Sequence, residues 1–155
     1  MNTSDSATDA VVLERTFDAP IGEVWQMWTD PAEFAGWYGP GGASVPVCEM
    51  DVVVGGRRRV CMRFDTPSGA REMWFTGEYV EVDEPVRLVY TEAMTDADGT
   101  PLPDGHPPTQ VCVDFAEVDQ HTRMVLTHRG IPAGSPGEAG WRAALDELDR
   151  RLARR

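Results

Sequence analysis

Val11, Leu13, Arg15 and Phe17 alternate with Val12, Glu14 and Thr16, and this period of two predicts a strand over 11–17. Past Pro20 the period lengthens. Ile21, Val24, Trp25 and Trp28 recur at i, i+3, i+4 and i+7, an apolar stripe of about two helical turns that Pro20 opens without losing a hydrogen bond. Asp30-Pro31-Ala32-Glu33 starts a second short helix, with Asp30 as N-cap, Pro31 in the first position and Glu33 placed for a capping box. Phe34 and Trp37 are its apolar residues, and Gly36 with the Gly-Pro-Gly-Gly run at 39–42 ends it.

From Ser44 to Arg129 the period returns to two. Strands are expected near 44–51, 57–64, 72–82, 86–92, 109–118 and 122–129. Most separators are short: Gly55-Gly56, Thr66-Pro67-Ser68-Gly69, Asp83-Glu84-Pro85 and Asp119-Gln120-His121. Short separators imply hairpins, hence an antiparallel meander. The exception is 93–108, a loop rich in Pro, Gly and Asp and longer than most structureless connections. After it, Trp141, Ala144, Leu145, Leu148 and Leu152 fall at helical spacing, with Asp146–Arg150 and Glu147–Arg151 as i,i+4 acid-to-base pairs. The arginines at 150, 151, 154 and 155 suit the negative end of the helix dipole. The fold expected is α+β: a seven-stranded antiparallel sheet gripping a long C-terminal helix, with two short helices after the first strand. Residues 1–10 read as a disordered tail and 11–155 as one domain.

Strand phase assigns the faces. Arg58, Val60, Met62 and Phe64 oppose Arg57, Arg59, Cys61 and Arg63; Met73, Phe75, Gly77 and Tyr79 oppose Glu72, Trp74, Thr76 and Glu78. Val111, Val113 and Phe115 oppose Gln110, Cys112 and Asp114; Met124, Leu126 and His128 oppose Arg123, Val125, Thr127 and Arg129. One face is apolar and the other mostly wet. A strongly twisted sheet curls, and one helix of roughly 10 Å diameter does not fill its concavity. Either large side chains fill the remainder as core or a cavity persists; such a cavity would be lined by Met62, Phe75, Tyr79, Tyr90, Phe115, Met124, His128, Trp141 and Leu145, with Trp37 and Tyr38 either packed or at its mouth. Arg15, Glu49 and Glu92 are the polar candidates, with Arg15–Glu49 the expected internal ion pair.

Composition narrows the function. With 26 acidic and 14 basic residues the formal charge is −12, which disfavours nucleic acid and anionic membrane surfaces as partners. All the basic residues are arginine, so lysine Schiff-base and P-loop chemistry are excluded. Cys48, Cys61 and Cys112 are widely spaced and read as buried thiols of a reducing compartment. No signal peptide or membrane-spanning run is recognised, and a cytoplasmic location is expected. His106, His121 and His128 lack zinc-site spacing, with His106 and His121 expected in solvent. No serine elbow or dinucleotide glycine motif occurs, so no catalytic residue, metal or cofactor is assigned. Outward Trp74 and Val125 leave room for a homodimer.

In ordered combination, RTFDAPIGEVWQMWTDPAEFAGWYGP, Gly55-Gly56, GEYVEVDEPVRLVYT and GWRAALDELDRRL resemble one family over nearly the whole chain. It is the bacterial group related to the activator of the ninety-kilodalton heat-shock protein's ATPase, in the START-like, helix-grip (SRPBCC) superfamily. The resemblance implies the seven-stranded grip and structural roles for Pro20, Trp25, Trp28, Gly55, Gly56 and Gly77. It also implies a hydrophobic ligand such as a lipid, polyketide or aromatic compound. The eukaryotic activators carry a further chaperone-binding domain for which 155 residues leave no room. The leading expectation is therefore a binding protein for a small apolar molecule. The alternatives are a cyclase, isomerase or hydrolase acting on such a molecule, or a regulator of a chaperone ATPase.

Overall fold

The computed structural model describes residues 9–39, 43–103 and 107–154. Most of the expected tail, the end of the Gly-Pro-Gly-Gly stop and His106 lie outside the described residues. Strand β1 (Ala10–Phe17) is followed by helices α1 (Ile21–Thr29) and α2 (Pro31–Trp37). Six strands follow: β2 (Ser44–Met50), β3 (Arg57–Thr66), β4 (Gly69–Asp83), β5 (Arg87–Thr95), β6 (Thr109–Val118) and β7 (His121–Arg129). Helix α3 (Pro136–Ala153) completes the order.

The strands form one seven-stranded antiparallel sheet in the order β1-β7-β6-β5-β4-β3-β2. Strands β2 to β7 are a meander, and β1 closes beside β7. Consequently β1 and β2 lie at opposite edges, and the α1–α2 pair carries the chain between them. Local chemistry explains each joint. Asp30 Oδ1 accepts the amides of Ala32 and Glu33 at 2.9 and 3.3 Å, and Pro31 occupies the first turn, as its sequence predicts. Ser135 caps α3 in the same way, with Pro136 behind it. Asp119 and Gln120 both adopt positive φ, the geometry of a two-residue type I′ turn that suits the twist of β6 and β7.

Several strands run past the predicted bounds, β3 to Thr66 and β4 from Gly69 to Asp83 among them, and two departures matter for the site. Strand β5 continues to Thr95, so 93–95 belong to the sheet rather than to the long loop. Beyond it Asp96 organises a tight turn: its carboxylate accepts the amides of Asp98 and Thr100, and Thr95 bridges Pro101. In β2 the register shifts between Ser44 and Val47, around Pro46, which has no N–H to give the ladder. Past that bulge Cys48 pairs with Val60, Glu49 with Arg59 and Met50 with Arg58. Cys48 and Met50 therefore face the core, and Glu49 faces solvent.

The core is one cluster in which the buried face of α3, namely Trp141, Ala144, Leu145, Leu148 and Leu152, meets β1, β6, β7, α1 and α2. Its exposed charges pair differently from the simple i,i+4 expectation. Asp146 reaches across to Arg15 at 2.9 Å, and Glu147 holds Arg150 at 2.9 Å. Arg151 instead lies over Gly36, where an added methyl would meet its Nη2 at 2.6 Å. The outer face of the sheet is less wet than alternation suggests. Val89 and Cys112 are buried there as a cross-strand pair, and Cys61 is buried beside Trp74. Arg59 covers Trp74, 4.5 Å from the ring centroid, so that tryptophan is not a bare surface. Cys48 is only half-buried, and all three thiols are free.

Removing the α2 cap with Asp30→Ala is expected to cost about 1 kcal/mol of stability. Leu148→Ala, which empties a fully buried site under α3, should cost about 2–5 kcal/mol. Urea unfolding midpoints measure both; an unchanged midpoint for Asp30→Ala would mean that the cap is dispensable.

Candidate functional site

Three consecutive arginines on β3 are sorted by the pleat. Arg57 and Arg59 turn outward, and Arg58 turns into the core beside Val60, where it is 2% exposed. Its cross-strand partner is Gly77, whose backbone lies so close to Thr91 that a Cβ would meet that carbonyl oxygen at 1.9 Å. The guanidinium sits over the Tyr90 ring at 3.9 Å and the Phe34 ring at 5.1 Å from the centroids. Its Nη1 reaches Glu92 Oε2 at 3.5 Å, long for a charge-assisted hydrogen bond. Among the described residues its Nε and Nη2, the hydroxyls of Tyr79 and Tyr90, whose rings meet edge-on at 5.9 Å, and Trp28 Nε1 make no hydrogen bond of good geometry, although the Tyr79 hydroxyl lies close enough to the Arg58 guanidinium to be stabilised by it.

A second polar chain runs from α3 back to the same carboxylate's strand. Trp141 Nε1–H donates to His128 Nδ1 at 2.9 Å, so the His128 proton resides on Nε2. That nitrogen lies 2.7 Å from Thr109 Oγ1, and the threonine hydroxyl donates to the Glu92 carbonyl oxygen at 3.2 Å. Glu92 Oε1 is 3.9 Å from His128 Nε2. Arg58, Glu92, His128 and Trp141 thus form one buried polar seam between sheet and helix.

Electrostatics separate its members. Burial pushes the Glu92 carboxyl above its usual range, although Arg58 and the Tyr38 hydroxyl pull the other way. Burial also raises the Tyr38, Tyr79 and Tyr90 hydroxyls, which stay protonated. Burial opposes the Arg58 charge as well, but Tyr90, Glu92, Tyr79 and Tyr38 outweigh it and the guanidinium stays protonated. Burial lowers His128 to about 4. Its Nδ1 lone pair is already engaged by Trp141, which disfavours protonation further. The seam therefore holds a protonated Arg58 that faces Glu92 across one long 3.5 Å contact.

Around it the rings contact one another. Trp28 stacks on Trp141 at 5.8 Å, Phe34 on Tyr38 at 4.5 Å, and Tyr38 meets Trp141 edge-on at 5.7 Å. Trp37 abuts Trp28 at 4.9 Å and donates its indole N–H to the Met27 carbonyl at 2.8 Å.

A family model for the activator of Hsp90 ATPase homolog 1-like protein matches residues 18–153. The chain belongs to this family. No curated protein sequence matches it. Solved structures share the family's grip. A protein from Arthrobacter aurescens is 21% identical with a TM-score of 0.80, covering 100% of this chain and 91% of its own. One from Chromobacterium violaceum is 26% identical with a TM-score of 0.78, covering 93% and 96%. An AHSA1 protein from Silicibacter pomeroyi is 23% identical with a TM-score of 0.75, covering 93% and 97%.

Within this family fold, the expected lining residues Phe75, Tyr79, Tyr90, Phe115, Met124, His128, Trp141 and Leu145 are buried together, and Met62 is half-buried at their edge. Trp37 and Tyr38 are not at a mouth; they are packed into the aromatic cluster. Glu92 is in the seam as expected. Glu49 is not, because the β2 bulge reverses its phase and it pairs with Arg59 at 3.3 Å outside. Arg15 lies on the inward side of β1, but at the sheet edge, where it reaches Asp146. The expected Arg15–Glu49 pair cannot form, since β1 and β2 occupy opposite edges. Arg58 is the residue that the polar reading missed, although its phase with Val60 already pointed inward.

Among the described residues the aromatic side chains of the expected lining pack against neighbouring rings. Two hollows of about 170 and 380 Å³ occur on the surface, by Met27, Glu33, Arg151 and Arg154, and by Glu49, Arg57 and Arg59. None of the expected lining residues borders them. Among the described residues no group of three or more His, Cys, Asp or Glu converges on a metal position. No helix of the described residues is long and apolar enough to cross a membrane. His121 is exposed, near Asp18 at 3.3 Å.

The buried imidazole sets a pH dependence. Its folded pKa of about 4 lies below the ordinary value of 6.5, so the unfolded chain binds the extra proton between them. The stability at stake is present in full above pH 6.5 and falls on acidification toward 4, by about 3 kcal/mol in all. Glu92, raised by burial, acts in the opposite sense above its ordinary 4.5, so the His128 part is isolated by difference. His128→Gln should flatten the stability profile between pH 6.5 and 4 in urea melts; equal slopes for both proteins would contradict a neutral buried His128.

Proposed function

We propose that this protein binds a small, largely apolar molecule between the sheet and α3, beside the Arg58–Glu92 seam. One observation supports the reading: among the described residues five buried side-chain polar atoms have no hydrogen-bond partner, and four of them, Arg58 Nε and Nη2 and the Tyr79 and Tyr90 hydroxyls, lie on residues that neighbour one another, the fifth being Trp28 Nε1. Each such group costs about 1–3 kcal/mol in a closed core. An interior built for packing alone would carry aliphatic residues there, whereas ligand sites combine apolar walls with a few convergent polar groups.

Access is by way of β2. It is an edge strand that pairs only with β3, it is bulged, and its inward Val45, Cys48 and Met50 are half-buried. Met62 next to them is unbranched and repacks readily around a guest. The protein after which the family is named activates an Hsp90 ATPase. Exposed apolar side chains here are spread over β1, the β2–β3 turn, β4, β6 and the β4–β5 turn, as Val12, Val53, Val54, Val80, Val118 and Val86. Such scattered residues are ordinary surface and do not favour a protein partner.

Titration with 2-naphthylmethanol, a neutral molecule of modest size, tests the pocket. Saturable shifts of the Trp28 and Trp141 indole N–H resonances, together with the amides of Tyr79 and Tyr90, are the expected result. Shifts restricted to exposed residues, or none at all, would reject the reading.

A further inference from the structure

We infer that the bound molecule carries a carboxylate, held two-pronged by Arg58 Nε and Nη2 and hydrogen-bonded by the hydroxyls of Tyr79 and Tyr90. The inference rests on the proposed pocket and adds the chemistry of the ligand's head.

A guanidinium presents its N–H groups in fixed directions. Nε–H and one N–H of Nη2 are parallel and form the side-on fork that matches the two oxygens of a carboxylate. In this protein Nη1 is the nitrogen turned to Glu92, and both atoms of the side-on fork are unpartnered. The pattern is selective: an arginine merely trapped in a core would have no reason to leave one complete fork free. Arg58 is 2% exposed, so solvent does not serve that edge as it would on a surface.

The neighbours suit an anion. The Tyr90 ring lies against the guanidinium at 3.9 Å and limits approach to the edge of the plane. Tyr79 and Tyr90 each hold a protonated hydroxyl with no well-formed hydrogen bond, that of Tyr79 beside the Arg58 guanidinium itself, and a carboxylate has lone pairs beyond those engaged by the fork. Charge points the same way. The nearest acid, Glu92, stands 3.5 Å from Nη1 and is shared with the Tyr38 hydroxyl, while His128 is neutral and engaged by Trp141 and Thr109. The rest of the ligand meets Phe34, Phe75 and the half-buried Met50 and Met62, an apolar wall with no further donors to satisfy. An apolar monocarboxylate, aromatic or aliphatic, is the class that satisfies every part. Phosphate monoesters fit poorly because their second charge would find no second cation in the seam.

The overall charge of −12 makes the inference testable, since any preference for an anion must come from the local site. The probes are 2-naphthoate and 2-naphthylmethanol, which share a ring system and differ in the head. At pH 7 the carboxylate should bind at least about tenfold more tightly. Arg58→Lys, which keeps the charge and loses the fork, should reduce that preference severalfold. A measurement on the unaltered protein avoids any folding defect of the variant. The Arg58 Nε–H proton, assigned by nitrogen-15 NMR, should move downfield with 2-naphthoate and not with 2-naphthylmethanol. Equal affinity of the two probes, or an unmoved Arg58 Nε–H, would overturn the carboxylate at this site, and a preference undiminished in Arg58→Lys would overturn the two-pronged contact, each while leaving the proposed pocket intact. Failure of both probes to bind would remove the pocket and the inference together.

Discussion

Trp141 is the side chain on which the rest of the interior depends, because it joins the apolar and polar halves of the core. Its ring stacks on Trp28 at 5.8 Å and thereby sets the spacing of α3 against α1. Its indole N–H then fixes the tautomer of His128, and through Nε2 and Thr109 the orientation extends to the backbone of Glu92. A leucine in place of Trp141 could fill much of the volume, but it could not hold the imidazole. The helix is gripped by the sheet through hydrophobic burial, and it is indexed to the sheet by this one hydrogen-bonded chain.

The second constraint is the burial of Arg58. An ion pair inside a protein rarely repays its desolvation, and replacing it by apolar side chains is often neutral or stabilising. Here the pairing is poorer than that rule assumes, with a single 3.5 Å contact and half of the guanidinium left without acceptors. The Tyr90 ring offsets part of the cost through a cation–π contact at 3.9 Å. The four unpartnered atoms remain, and they lie on residues that touch one another. Stability alone gives no account of why Arg58, Tyr79 and Tyr90 occupy these positions, which is the ground for the proposed recognition role.

Much of this was legible in the sequence, and the pattern of success has a physical reason. Alternation and stripe are local properties, so strand phase, the two short helices, the Asp30 cap and the greasy face of α3 could all be read directly. The buried set of Tyr79, Tyr90, Phe115, Met124, Glu92 and His128 followed from phase alone. Glu49 escaped because a single bulge near Pro46 inverts every side chain after it, and a bulge leaves no periodic trace. The Arg15–Glu49 pair failed for a different reason: which strands are neighbours is a non-local fact, and β1 inserts beside β7. Arg58 was hidden in a triplet of arginines whose composition says surface, although its phase says core. Phase is the better guide wherever the two conflict.

On the proposed reading a guest must part rings that already touch, and only its preference for the parted arrangement can drive that change. The cost of parting rings that already touch would fall on the ligand's affinity, and it would be lowest where the walls are least fixed. That place is the β2 side. The strand there has one neighbour instead of two, it is interrupted by a proline bulge, and the residues under it are Cys48, Met50 and Met62 rather than fused rings. By contrast Trp28, Trp141 and His128 are held on several sides by stacking and hydrogen bonds at the α3 end. Contacts are thus densest where the seam is anchored at α3 and sparsest under β2, so the proposed guest would disturb least by entering there, with the Trp141–His128 chain left in place.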